Sequence, residues 1–170
     1  VEKMGGSIAF TSQEGVGSQF VIRIPFKIDE EHKNERVKES ASASIEGLRV
    51  LLVEDNELNM EIARFIIENE GAKVTCATNG KEAVDIYKNA PESFDIILMD
   101  IMMPEMDGYE ATRMIREMDL NIPIVAMTAN AFMEDKIKAK KAGMNAHVSK
   151  PLDKDILIRV ISKLCGYKLK

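Results

Sequence analysis

Hydrophobic residues along this chain change their spacing several times. Near the start, Ile8 and Phe10, then Phe20, Ile22 and Ile24, alternate with other residues in the period of a strand, and Gly15 and Gly17 lie between the two runs. The pattern predicts a β-hairpin within residues 1–28. Two strands alone are marginal in water, so this hairpin is expected to need another surface to become ordered. From Asp29 to Gly47 the text DEEHKNERVKESASASIEG is charged and then Ser/Ala-rich, with little apolar surface to offset the entropy of ordering it. Residues 29–47 are therefore expected to be a flexible linker.

From Leu48 onward, short apolar runs alternate with stretches of helical period. The runs Arg49 to Val53, Lys73 to Ala77, Asp95 to Met99, Ile122 to Met127 and Ala146 to Ser149 read as strands. Between and after them, Leu58/Ile62/Phe65/Ile66, Ala83/Val84/Tyr87, Ala111/Met114/Ile115/Met118 and Leu157/Val160/Ile161/Leu164 recur at helical spacing and are expected to face the core. Asn79 with Glu82 has the spacing of a capping box, Asp153 suits the N-cap of the last helix, and Gly71 and Gly143 stand where helices should stop. The segment Phe132 to Ala142 is mostly Lys and Ala, with the weakest apolar face of the five. Five β-α units imply a parallel sheet with helices on both faces, because each parallel connection needs a crossover. That domain is expected over residues 48–166, with a short tail at 167–170.

Composition removes several function classes. With 23 basic and 28 acidic residues the formal charge is −5, which offers no general attraction to nucleic acid or anionic lipid. The lysines at 136, 138, 140 and 141 read as a solvated helix face. The two cysteines, Cys76 and Cys165, have no metal-ligand spacing and suit a reducing, cytoplasmic setting. No apolar stretch approaches the length of a membrane span, and the start lacks the pattern of a signal peptide.

The candidate chemistry lies at the ends of the strands. The first run of the main domain ends in Glu54-Asp55, the third in Asp100, the fourth in Thr128, and the fifth leads through Ser149 into Lys150. In an open parallel sheet these carboxyl ends share one edge, where ligands bind, so four sequence-distant polar groups should converge. Two carboxylates about 4 Å apart repel by roughly 4 kcal/mol at an effective dielectric of about 20, so Glu54, Asp55 and Asp100 need compensation. An all-oxygen donor set without His or Cys suits Mg²⁺. Carboxylate, hard cation, ammonium and hydroxyl together suit phosphoryl transfer, with Asp100 as the nucleophile.

The segments LLVEDN, LMDIMMPEMDG, AMTAN and VSKP, in this order and spacing, resemble the receiver domain of two-component response regulators over roughly Leu48 to Cys165. The resemblance implies a flavodoxin-like fold with strand order 2-1-3-4-5, the doubly wound order for which a receiver is a standard example. It implies Asp100 as phosphoacceptor, Glu54 and Asp55 as the acidic metal pair, and the Met102 main-chain carbonyl as a further ligand of Mg²⁺. It assigns Thr128 and Lys150 to the phosphoryl group, Thr128 and the strand-five position held here by His147 to switching, and a cis bond to Pro151. Most receivers carry Phe or Tyr where this chain has His147, so switching is expected to be weaker or pH-sensitive. Met102 and Asn130 occupy positions that tune phosphate lifetime. Met102 cannot orient an attacking water, so a persistent phosphoryl group is expected.

Before the linker, MGGSIAFTSQEGVGSQFVIRIP resembles the last strands of a histidine-kinase ATPase domain, with Gly15-Val16-Gly17-Ser18 in its final glycine box. The chain then reads as the C-terminal part of a hybrid sensor kinase whose parent is a histidine kinase, with missing upstream segments as its possible membrane anchor. His32 fits no phosphodonor helix, and the residues here are expected to bind no ATP and to catalyse only their own aspartyl phosphorylation and dephosphorylation. The expected partners are the phosphohistidine of a histidine kinase and a histidine phosphotransfer protein, or the phosphoryl group regulates the parent kinase. A phosphate-independent interaction module of receiver fold is the alternative. A flavin protein lacks its phosphate loop here, since VEDNEL would repel phosphate. A dehalogenase-type hydrolase would need a second Asp where Met102 stands.

Overall fold

The computed structural model describes residues 1–2, 5–13, 15, 17–25, 44–129 and 133–166. Expectations for His32, for 29–43 of the linker, for Asn130 and for the tail 167–170 lie outside the described residues. The chain divides into two compact units, Val1–Ala41 and Ser42–Lys170.

In the first unit, β1 (Ser7–Gln13) pairs antiparallel with β2 (Gly17–Arg23). Gly15 and Gly17 adopt φ of 76° and 123°, the left-handed side that a tight reversal requires and that glycine reaches without a Cβ clash. Ile8 faces Ile22 and Phe10 faces Phe20 across the ladder, and the two phenyl rings stack at 5.8 Å. Within this unit all four apolar side chains are exposed.

The second unit contains β3 (Arg49–Val53), α1 (Glu57–Asn69), β4 (Lys73–Ala77), α2 (Gly80–Asn89), β5 (Ile96–Asp100), α3 (Gly108–Met118), β6 (Ile124–Thr128), α4 (Met133–Ala142), β7 (Ala146–Ser149) and α5 (Lys154–Cys165). The sheet is parallel with order β4-β3-β5-β6-β7, the doubly wound 2-1-3-4-5 arrangement. The three central strands are apolar between their ends, Arg49 opening β3 and Asp100 and Thr128 closing β5 and β6, because both of their faces are covered. Val50, Leu52, Ile96, Leu98, Val125 and Met127 pack on the layer formed by α1 and α5. Leu51, Val53, Ile97, Met99, Ile124 and Ala126 pack on the layer formed by α2, α3 and α4. The packed domain begins ahead of the expected boundary at 48. Ile45 is fully buried and the Gly47 N–H donates to Gly71 O at 2.9 Å, so the last residues of the expected linker belong to the core.

The helix starts follow their caps. Asn79 Oδ1 accepts from the Glu82 N–H at 2.8 Å, and the Glu82 carboxylate reaches back one residue further than a capping box, to the N–H and hydroxyl of Thr78, both at 2.7 Å. Asp153 Oδ1 accepts from Ile156 N–H at 3.0 Å. Helix α1 departs from expectation. Of its expected stripe, Leu58, Ile62 and Phe65 face solvent, at 65%, 46% and 67% exposure, while Ile66 packs partly buried against the core, and the buried stripe is Met60/Ala63/Ile67. Two apolar stripes interleave on this helix, and the one with the small Ala63 lies against the sheet. On α3, likewise, Ala111 and Ile115 are buried while Met114 and Met118 are exposed.

Candidate functional site

The carboxyl ends of β3, β5, β6 and β7 bring the expected residues to one rim. Along β5, Ile96 and Leu98 point to the α1/α5 layer, and Asp100 continues that row at the strand's last position, 4% exposed. Glu54 follows Val50 and Leu52 in the same way from β3; its N–H still bonds the Ala77 carbonyl at 3.1 Å, and it is 2% exposed. Asp55, next in the chain, is exposed. Carboxylate oxygens of Glu54, Asp55 and Asp100 lie within 4.8 Å of one another. Glycine keeps the backbone close here: Gly108 donates its N–H to Ile101 O at 3.0 Å, and a Cβ at this position would collide with the Asp100 carbonyl oxygen.

Lys150 closes the cluster from the far side of the sheet. Its N–H bonds Thr128 O at 2.8 Å, and a cis peptide links it to Pro151. The ammonium bridges Glu54 Oε2 at 2.5 Å and Asp100 Oδ2 at 2.8 Å. Among the described residues, Asp100 Oδ1 receives only a long contact, from the Met102 N–H at 3.4 Å. Thr128 is buried one residue past Met127, which is in register with Asp100. His147 stands half-buried on the edge strand β7, in register with Ala126. The Met102 side chain is 77% exposed, away from the packed core.

The electrostatics follow from burial and crowding. Desolvation pushes the Asp100 carboxyl above its ordinary range, Lys150 pulls it down, Glu54 pushes it up again, and the net direction is upward. Burial works against the Lys150 charge, but the hydrogen bonds and charges of Asp100 and Glu54 outweigh it and hold its pKa above the usual lysine value. One ammonium among three carboxylates leaves an excess of negative oxygens at the rim. An all-oxygen set of this size fits a hard divalent cation such as Mg²⁺. His147 moves the other way, since burial first and Lys136 second lower its pKa.

One site residue escapes a reading of strand ends. Asn59, in the first turn of α1, donates from Nδ2 to Glu54 Oε1 at 3.0 Å. The only trace in the sequence is a polar residue five positions beyond Glu54, among apolar neighbours.

The sequence matches the response regulator receiver domain over residues 50–162. It is 37% identical over 166 residues to the aerobic respiration control sensor protein ArcB of Escherichia coli, an alignment covering 95% of this chain and 21% of ArcB. The chain spans about a fifth or less of the length of the curated relatives it matches. Among solved structures, the receiver domain of sensor histidine kinase PA1611 from Pseudomonas aeruginosa, described with a magnesium ion coordinated in its active-site cleft, is 37% identical with a TM-score of 0.66. That match covers 71% of this chain and 98% of that one. The receiver domain of Ssk1, in complex with the histidine phosphotransfer signaling protein Ypd1 of Saccharomyces cerevisiae, aligns at 29% identity with a TM-score of 0.68, covering 74% of this chain and 93% of that one.

Proposed function

The chain belongs to the response regulator receiver family, the receiver module of two-component phosphorelays, and from this premise we propose that Asp100 is its phosphoacceptor. The observation that carries the proposal is the Lys150 ammonium shared between Glu54 and Asp100, inside a cluster of carboxylates that includes Asp55. An Asp100 oxygen attacks the phosphorus of a phosphohistidine; the O–P bond forms as the N–P bond breaks, and the imidazole leaves and takes up a proton. Lys150 shifts its charge toward the transferred oxygens, and the Thr128 hydroxyl donates to one of them. Glu54, Asp55, Asp100 and the Met102 carbonyl would hold Mg²⁺, which when bound supplies positive charge against both the carboxylates and the phosphoryl oxygens. Thr128, drawn to the phosphoryl group, and His147 behind it are the switch pair. Asn130 and the exposed Met102 tune how long the acyl phosphate lasts, and Met102 favours a long life.

The partner is a histidine phosphotransfer protein, with the donor a phosphohistidine of the parent histidine kinase. Support comes from α1. Leu58, Ile62 and Phe65 form an exposed apolar stripe that itself lines an open 460 Å³ concavity along α1, and the stripe starts at the helix end that adjoins Asp55. A partner helix laid along it would carry a histidine toward the acidic rim. The hairpin's exposed apolar pairs suit the last strands of a kinase ATPase domain, whose remaining strands and helices would cover them. No helix among the described residues is long and apolar enough to cross a membrane. We place the module on the cytoplasmic side of a parent kinase.

Incubation with Mg²⁺ and acetyl phosphate tests the reading. Intact mass should rise by one hydroxylamine-labile phosphoryl group, absent in Asp100→Asn. A chain that gains none is a phosphate-independent interaction module, and the proposal fails.

A further inference from the structure

The Glu54 carboxylate is almost fully buried, yet each of its oxygens has a different kind of partner. Lys150 holds Oε2 at 2.5 Å and Asn59 Nδ2 holds Oε1 at 3.0 Å. Lys150 is shared with Asp100 at 2.8 Å, and in the proposed reaction it turns toward the phosphoryl oxygens. Glu54 would then keep one fixed donor, Asn59. The terminal torsion of a glutamate is broad and roughly two-fold, so a carboxylate without a fixed donor does not present a defined oxygen. The fold explains the pairing: Glu54 continues the row of Val50 and Leu52 toward the layer of α1, and Asn59 comes from the first turn of that helix.

We propose that Asn59 is a positioning residue for the divalent cation: its side-chain amide holds Glu54 Oε1 and thereby turns Oε2 toward the space shared with Asp55 and Asp100. An amide suits this role because it donates a hydrogen bond without adding charge. A cationic residue here would neutralise the carboxylate that the metal needs, and an acidic one would repel it. The Asn59 side chain takes no part in the helix cap, which runs through its backbone N–H to Asn56 Oδ1 at 3.0 Å. Substituting the side chain therefore leaves the cap in place. Partners of this outer kind change metal affinity by about 10- to 100-fold when removed.

The inference rests on the receiver reading and is tested by titrating Mg²⁺ alone into wild type, Asn59→Ala and Asn59→Gln by calorimetry, with urea unfolding in chelator as the control for folding. Asn59→Ala should bind Mg²⁺ roughly 10-fold more weakly, Asn59→Gln should recover most of the loss, and all three should be fully folded without urea and unfold in one cooperative transition. With acetyl phosphate, the Mg²⁺ concentration for half-maximal phosphorylation should rise in parallel while the rate at saturating Mg²⁺ stays unchanged. Equal Mg²⁺ affinity in wild type and Asn59→Ala, with wild type taking up phosphoryl, overturns the role of Asn59 alone. A wild-type protein that neither binds Mg²⁺ nor takes phosphoryl overturns the receiver reading and this inference together.

Discussion

The two ends of the parallel sheet treat polar groups in opposite ways. At the amino end, charged side chains are matched bond for bond. Arg49 forks onto Asp95 with contacts of 3.0 and 2.9 Å, and Asp95 also accepts the Arg49 N–H at 2.9 Å. Arg116 reaches Gly143 O, Asp119 O and Asn145 Oδ1, while Asn145 Oδ1 also accepts the Ile124 N–H that begins β6. The buried Tyr87 hydroxyl donates to Asp119 at 2.6 Å. At the carboxyl end, three carboxylates cluster while one ammonium bridges two of them, Glu54 and Asp100, and the central acid is pushed upward in pKa by its burial. The contrast assigns stability to one edge and reactivity to the other: satisfied polar groups fix loops, and under-compensated ones remain ready to bind.

Variants at the two edges should therefore separate the two properties. The largest effect is expected from Asp100→Asn, which should abolish phosphoryl uptake measured by intact mass. Its fold should be no less stable at neutral pH. A carboxyl whose folded pKa lies above its unfolded one opposes folding once ionised, and the amide removes that charge. A marked fall in the thermal midpoint would break the comparison. Lys150→Met should slow phosphorylation by acetyl phosphate by about 100-fold, the usual scale for removing one donor to developing charge. Single-turnover kinetics at saturating Mg²⁺ would show it.

The opposite edge should respond in the opposite sense. Arg116→Ala leaves Gly143 O, Asp119 O and Asn145 Oδ1 without their charged donor and should cost about 2–3 kcal/mol in urea unfolding, with phosphorylation retained. Tyr87→Phe should cost about 1 kcal/mol. Although burial pushes Asp119 upward, the Tyr87 hydroxyl, the N–H groups of Asn121 and Ile122 and the charge of Arg116 together hold its carboxyl below the ordinary range. Its contribution is therefore full above the unfolded value of about 3.9 and is lost as pH falls through the folded value, a loss that Tyr87→Phe should shrink. The smallest effect belongs to His147. Its lowered pKa leaves it neutral in the fold where an unfolded histidine charges, so stability should begin to fall as pH drops below about 6.5. His147→Tyr should lack that decline, and thermal midpoints at pH 7.5 and 5.5 would compare the two.

The same contrast explains what the sequence makes legible. The strands and the reactive edge follow from local pattern, since a buried parallel strand is an unbroken apolar run and its polar terminus stands out at once in IILMD. The stabilising edge has no such signature. Tyr87 and Asp119 are 32 positions apart and Arg116 and Asn145 are 29 apart, so only the folded chain pairs them. Helix α1 misleads for a different reason. Leu58, Ile62 and Phe65 are the bulkier apolar residues, yet close approach to the sheet selects the stripe with Ala63, and periodicity alone does not distinguish a core stripe from an exposed one. Asn59 is hidden because its importance comes from Glu54, not from its own neighbours.

Lys150 gives the molecule a tethered counter-ion. Domains that fold only around a metal come apart under chelation; this one carries a covalently attached positive charge that already bridges two of the three acids. Magnesium starvation should therefore leave it idle but intact, able to resume signalling as soon as the ion returns, with no refolding required in between.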